Sequence, residues 1–223
     1  MAHRRQGFRF ENDWTFEELE EGAGDWKSAV AIPVNVVIEA EHRVLSFERV
    51  KEYLVEADKI VRLDCFCREK RHNCGAPVDV CVYLNDRADL ARSSGEQLYR
   101  NPREATVDEA LEALERSHEA GLIHMAYAYK EDEINVICSC CSCCCEALST
   151  VLRFGLAPHL LSSGTVSVTD VSRCDDCGDC VVRCHFGARE MVGGVMVFNP
   201  EMCFGCGLCV SGCPPDAISL VDK

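Results

Sequence analysis

The chain has 223 residues, enough for one large or two small domains, and its 48% hydrophobic content is that of a globular protein. A net charge of −14 and a pI near 4.9 lack the basic footprint that nucleic-acid binding requires. Eighteen cysteines crowded into short runs, with no secretory signal, argue for metal ligation in a reducing cytoplasm and against disulfides.

Residues 1–43 read as an acidic lead-in with weak structural signals. Arg4-Arg5 with Phe8 resembles the start of a twin-arginine export signal, but the run from Glu11 to Glu21 is acidic where an apolar segment is required. A cytoplasmic location is therefore expected. Ala29 to Ile38 is the most apolar run; it is too short for a membrane span, is broken by Pro33, and is expected to be extended.

Helix signals dominate residues 44–160. Ser46 is placed to cap a helix with apolar positions Phe47, Val50, Leu54, Ala57 and Val61. Pro77 is placed to open a second helix through about Ala91, stopped by Ser93-Ser94-Gly95. Thr106 and Glu109 form a capping-box pattern ahead of Val107, Ala110, Leu111 and Leu114, with Gly121 as the stop. A fourth helix is expected from roughly Cys143 to Phe154, before Gly155. The expectation is a mostly helical, cysteine-rich domain.

Ten cysteines fall in that domain, in two groups. Cys65, Cys67, Cys74 and Cys81 lie mainly in the link between two expected helices. Cys138, Cys140, Cys141, Cys143, Cys144 and Cys145 lie on a strand-to-helix turn after Ile134 to Ile137. Adjacent residues of a strand point to opposite faces, so these six cannot all reach one metal. The candidate chemistry is one or more additional iron–sulfur clusters; the alternative is a structural zinc on Cys65, Cys67, Cys74 and Cys81. Arg68 and Arg71 flank the first group, where they either offset thiolate charge or form a solvated face. His124 reads as a satisfied core histidine.

Residues 165–223 contain an internal repeat. Cys174, Cys177, Cys180 and Cys184 recur 29 positions later as Cys203, Cys206, Cys209 and Cys213, both sets spaced C-x2-C-x2-C-x3-C. Three thiols converge from one tight loop, and soft thiolate is what iron in a cubane requires. Gly178, Gly205 and Gly207 are suited to loop dihedrals that a side chain resists. Gly193-Gly194 between two apolar pairs signals a hairpin. Each unit reads strand, ligand loop, helix, strand.

These residues resemble the two-cluster bacterial ferredoxins from about Thr165 to Lys223. The resemblance implies an α+β chain ending in a small pseudo-twofold βαββαβ domain with two [4Fe–4S] clusters. In that family the fourth cysteine of each run ligates the other cluster. Carried over, one cluster takes Cys174, Cys177, Cys180 and Cys213, and the other Cys203, Cys206, Cys209 and Cys184. Pro214 follows Cys213 as the family expects, but His185 follows Cys184; it is read as a solvent-facing side chain. A second resemblance spans residues 44–221: Cys65-x-Cys67-Arg68 with Cys74, Pro77 and Cys81, then Gly121-Leu-Ile-His124, then Cys138 to Cys145. It is to ferredoxin-like proteins of anaerobic microbes, and it implies a multi-cluster redox protein.

The expected function is relay of single low-potential electrons between redox partners, with the acidic surface steered toward a basic docking face. The alternative is a redox enzyme whose upstream cysteines hold an unusual or open cluster fed by the ferredoxin domain. No catalytic residue is assigned. No nucleotide or flavin fingerprint is present in the sequence.

Overall fold

The computed structural model describes residues 9–22, 28–32, 47–130, 133–154, 160–161 and 163–223. Ser46, Gly155 and the segment from Pro33 to Ile38 lie outside these residues.

The upstream region is built on a sheet, not on helices. In chain order its elements are α1 (Phe16–Gly22), β1 (Ser28–Ile32), α2 (Phe47–Glu56), β2 (Ile60–Asp64), α3 (Phe66–Arg71), β3 (Cys81–Leu84), α4 (Asn85–Ser93), β4 (Arg100–Glu104), α5 (Val107–Glu119), β5 (Ile123–Lys130), β6 (Glu133–Cys140), α6 (Glu146–Leu152) and β7 (Leu160–Leu161). The strands form one seven-stranded sheet in the order β4-β2-β3-β6-β5-β1-β7. All pairs are antiparallel except β1 with β7.

The expectation of a mostly helical domain is thus corrected, for a physical reason. The central strands are buried on both faces, so their apolar runs lack the alternation that identifies a half-buried strand. Val61 fits the helical period of α2 but belongs to β2, and only 1% of it is exposed. The segment after Pro77 does not become helical until Asn85, because Cys81 to Leu84 enters the sheet. The fourth helix begins at Glu146, since Cys141 to Cys145 form a turn.

The capping box is present as expected. Thr106 accepts from the Glu109 N–H at 3.3 Å, and the Glu109 carboxylate accepts from the Thr106 N–H at 2.8 Å. On one sheet face, Val50 and Leu54 of α2 and Ala110 and Leu114 of α5 cover Ile60, Val82, Leu84, Ala126 and Ile137. On the other, Ile123, Met125, Tyr127, Val136 and Cys140 meet Ala147, Leu148 and Leu152 of α6 together with Phe186 and Leu208 from the C-terminal region.

That region continues as β8 (Thr165–Thr169), α7 (Asp179–Arg183), β9 (Arg189–Val192), β10 (Val195–Phe198), a 3-10 turn (Pro200–Met202), α8 (Leu208–Ser211) and β11 (Ile218–Asp222). β8 pairs antiparallel with β11, and β9 with β10. Gly193 and Gly194, at φ 60° and 88°, close the β9–β10 hairpin with Val192 opposite Val195.

Candidate metal centres

The two cysteine runs of the repeat are interleaved in space. One small cavity is lined by Cys174, Cys177, Cys180 and Cys213, with Met196, Pro215 and Ile218. A second is lined by Cys184, Cys203, Cys206 and Cys209, with Phe186, Phe198 and Phe204. Cys180 and Cys209 sit in α7 and α8, while Cys184 and Cys213 follow their ends. Gly178 and Gly207 hold the corresponding positions before the two helices at φ 83° and 77°.

The repeat departs from symmetry at one loop position. Gly205, at φ 67°, presses against Ser163 and Thr165 so closely that a methyl group would collide with both. Its counterpart is Asp176, also left-handed at φ 57°, whose carboxylate accepts from the Met196 N–H at 2.8 Å.

Arg189 lies between the two sets. It is 1% exposed and donates to Thr169 Oγ1 and Ser167 Oγ, each at 2.9 Å. Burial pushes the Cys209 thiol up to about 11, and burial likewise raises Cys180; the Arg189 guanidinium pulls against both shifts. One buried cation therefore acts on a thiol from each cavity.

The His185 ring is half-buried and bonded on both sides to the upstream region, where a solvent-facing side chain was expected. Its Nδ1 accepts from the Ser142 N–H at 3.2 Å and lies 3.0 Å from the Ser142 hydroxyl, while Nε2 lies 2.7 Å from the Gly121 carbonyl. These partners fix the neutral tautomer with the proton on Nε2. The ring joins the Cys184 loop to the residue between Cys141 and Cys143.

The ten upstream cysteines divide four and six. Cys74, Cys141, Cys143 and Cys144 converge, with all four sulfurs within 4.8 Å of one another. Among the described residues, no other three such donors come so close. Hydrogen bonds from Cys141, Cys143 and Cys144 hold the Cys74 thiol far below its usual range, and bonds from Cys143 and Cys144 draw Cys141 down to about 7. Bonds within the same group push the Cys143 and Cys144 thiols well above theirs, and four thiols clustered in this way form a donor set for a soft cation. Cys74 thus joins the later run, so the set Cys65, Cys67, Cys74 and Cys81 is not brought together.

The other six line a cavity of about 500 Å³, whose wall Cys141 and Cys144 of the first group also reach: Cys65 and Cys67 at the start of α3, Cys81 on β3, Cys138 and Cys140 on β6, and Cys145 before α6. Neighbouring thiols contact in the sequence Cys67, Cys65, Cys81, Cys138, Cys140, Cys145. Bonds from Cys140 and Cys81 draw the Cys138 thiol down to about 6, against its burial. Tyr83, Tyr99, Tyr127 and Tyr129 complete the walls, with the Tyr127 hydroxyl 4.0 Å from Cys140 Sγ. Burial pushes the Glu146 carboxyl, at the cavity edge, up to about 7. Cys138 and Cys140 share one face of β6, and the turn after Cys140 brings Cys141, Cys143 and Cys144 to Cys74.

Arg68 stands between the groups. It is 2% exposed, donates to the Pro77 carbonyl, to Ser139 O at 3.0 Å and to Cys141 Sγ at 3.7 Å. Burial alone would lower its pKa, but the Cys65 and Cys141 thiolates raise it. Arg71 serves a different end: it pairs with Glu18 and lies over the Trp14 ring, 4.0 Å from its centroid. Trp14 in turn donates to the Cys144 carbonyl at 2.8 Å. The buried pair Arg153–Asp13, at 2.5 Å, and the Arg153 bond to the Ser142 carbonyl hold the same turn. Trp14 and Asp13 lie in the stretch read as lead-in, and no sequence signal marked their part in shaping the site.

His124 is buried, as expected of a core histidine, but it is satisfied on one side only: Nδ1 lies 3.1 Å from Ser139 Oγ, while Nε2 has no hydrogen-bond partner. Its ring stacks on His118 at 6.1 Å between centroids. Among the described residues, no helix is long and apolar enough to cross a membrane.

Residues 173–217, which contain all eight cysteines of the repeat, match the 4Fe-4S dicluster domain family. Over 84 residues the chain is 34% identical to polyferredoxin protein MvhB of Methanothermobacter marburgensis, covering 31% of this chain and 20% of that protein. The same polyferredoxin of Methanothermus fervidus is 34% identical over 85 residues, covering 32% and 21%. Pyruvate synthase subunit PorD of Thermotoga maritima is 43% identical over 49 residues, covering 22% and 50%. The chain therefore spans from about a fifth to half the length of these relatives. The C-terminal region is a ferredoxin-type iron–sulfur domain, consistent with electron transfer.

Proposed function

We propose that the protein is a multi-cluster electron carrier that relays single low-potential electrons between redox partners. Two [4Fe–4S] clusters occupy the two cavities of the repeat, one held by Cys174, Cys177, Cys180 and Cys213, the other by Cys203, Cys206, Cys209 and Cys184. A further iron–sulfur cluster occupies the larger cavity, on thiolates drawn from Cys65, Cys67, Cys81, Cys138, Cys140 and Cys145. The observation that carries this reading is the shared apolar core. Cys184 and Cys206 of one small cavity pack into the same cluster of side chains as Cys138, Cys140 and Cys145 of the large one. Phe186 and Phe204, stacked at 4.4 Å, lie in that core. Thiolate clusters joined by a dry, tightly packed path meet the needs of outer-sphere transfer, which requires proximity and ligands that move little. The likeness to a polyferredoxin and to a pyruvate synthase subunit supports docking on an oxidoreductase, and the charge of −14 supports a basic face on that partner.

Iron and sulfide analysis of anaerobically purified protein tests this. Two cubanes supply about eight irons, and a further cluster raises the count above that. Iron at or below about eight, with no change on replacing Cys138 and Cys140, removes the upstream cluster. Absence of iron after anaerobic reconstitution removes the whole reading.

A second reading, a reductase whose upstream cluster meets a substrate, is favoured by the four tyrosines around a cavity of about 500 Å³. An EPR signal of the upstream cluster that changes on adding a small-molecule substrate, and not on adding a protein partner, would select it.

A further inference from the structure

The geometry points to a mononuclear tetrathiolate zinc site at Cys74, Cys141, Cys143 and Cys144, separate from every iron–sulfur centre of the protein. The sulfurs of Cys74 and Cys141 are 3.8 Å apart, those of Cys74 and Cys144 3.9 Å, and those of Cys143 and Cys144 3.8 Å. Four mutually adjacent sulfurs form a tetrahedron. Zinc–thiolate bonds of about 2.3 Å place the corners of such a tetrahedron about 3.8 Å apart. The thiolates of a cubane radiate from four different irons and must stand farther apart. The quartets of the repeat follow that wider pattern, since no three of their sulfurs lie within 4.8 Å of one another.

The surroundings fit a closed structural site. Four thiolates around a divalent cation leave two negative charges in a half-buried place. Arg68 offsets one of them from 3.7 Å, and the Ala76 N–H faces the Cys74 sulfur. The donor set fills the tetrahedron and leaves no open position, as structural zinc requires. The backbone is also braced from outside: Asn73 donates to the Cys143 carbonyl at 2.9 Å and Trp14 to that of Cys144 at 2.8 Å. Cys74 lies in the link between α3 and β3, and the other three lie in the turn between β6 and α6. The metal would therefore pin together two segments that also carry Cys81, Cys140 and Cys145 to the large cavity.

Metal analysis and zinc K-edge X-ray absorption on the full-length, anaerobically purified protein test this. The expected result is about one zinc per chain, retained through dialysis against EDTA, with four sulfurs at about 2.3 Å. Cys143→Ala should then lower zinc at least fivefold while the EPR signals of the reduced C-terminal clusters persist. Absence of zinc, with iron and sulfide both falling by about four per chain in Cys143→Ala, would make the site a cubane and overturn the inference. Loss of a single iron without sulfide would overturn it as well, in favour of a mononuclear iron centre. If Cys143→Ala does not fold, the absorption spectrum of the unmodified protein decides by itself. Zinc is counted apart from iron, so the relay and the zinc site stand or fall separately.

Discussion

The imidazole of His185 accepts a hydrogen bond from the backbone N–H of Ser142 at 3.2 Å, and so a residue next to Cys184 is tied to the middle of the upstream cysteine run. The proline that follows Cys213 has no such capacity. His185→Pro should therefore leave the Ser142 N–H and the Gly121 carbonyl without these partners. The expected cost is about 1–3 kcal/mol of stability, read as a lower denaturant midpoint, with the iron content of the C-terminal domain retained. An unchanged midpoint would show that the contact contributes nothing.

Arg189 acts on Cys180 and Cys209 together, so its removal should move two centres at once. A nearby cation favours the more negative, reduced form of a cluster. Arg189→Met should lower both C-terminal potentials by tens of millivolts, the scale of one charge at an intermediate effective dielectric. Redox titration followed by EPR would resolve both. A shift in one centre alone would contradict the shared position.

Gly205 and Asp176 are equivalent in the repeat but not in tolerance. Gly205→Ala meets Ser163 and Thr165 and requires a left-handed backbone, so it should cost ~2 kcal/mol or more and lower iron occupancy of the adjacent cavity. Asp176→Gly keeps the backbone accessible and loses the acceptor for the Met196 N–H and the Cys174 thiol, for a cost of about 1 kcal/mol. Iron content and thermal midpoints of the two variants provide the comparison.

His118 and His124 predict a weakening in acid. Burial, aided by Arg183, lowers His118 to about 4, and burial, aided by His118, lowers His124 to about 3. Both are neutral in the fold and protonate near 6.5 when the chain unfolds. Their stabilisation is full above about pH 6.5 and declines as the pH falls from there toward 4, because the unfolded state takes up the protons first. Chemical denaturation between pH 7.5 and 5.5 should show this slope, and His118→Gln with His124→Gln should flatten it.

The parts of the molecule that announce themselves in the sequence are local ones. The Gly193-Gly194 hairpin and the Thr106–Glu109 capping box each depend on residues within four positions, and both stand where their chemistry places them. The sheet was hidden because β2 and β3 are short and buried on both sides, so Ile60 to Leu63 and Cys81 to Leu84 carry no alternation. The grouping of the upstream thiols was hidden for a different reason. Cys74 meets Cys141 across 67 residues, and the pairing of β3 with β6 brings those segments together. Likewise, nothing near His185 indicates that its partners are Ser142 and Gly121.

Cys213 faces the cavity of Cys174, Cys177 and Cys180, while Cys184 faces that of Cys203, Cys206 and Cys209. Neither thiol quartet is complete until almost the whole stretch has left the ribosome. While residues 185–202 are being added, the first set would hold three thiols and lack its fourth, and the second would hold Cys184 alone. On the proposed ligand sets, loading would be an event of the finished domain, and filling either centre would draw together both halves of the repeat.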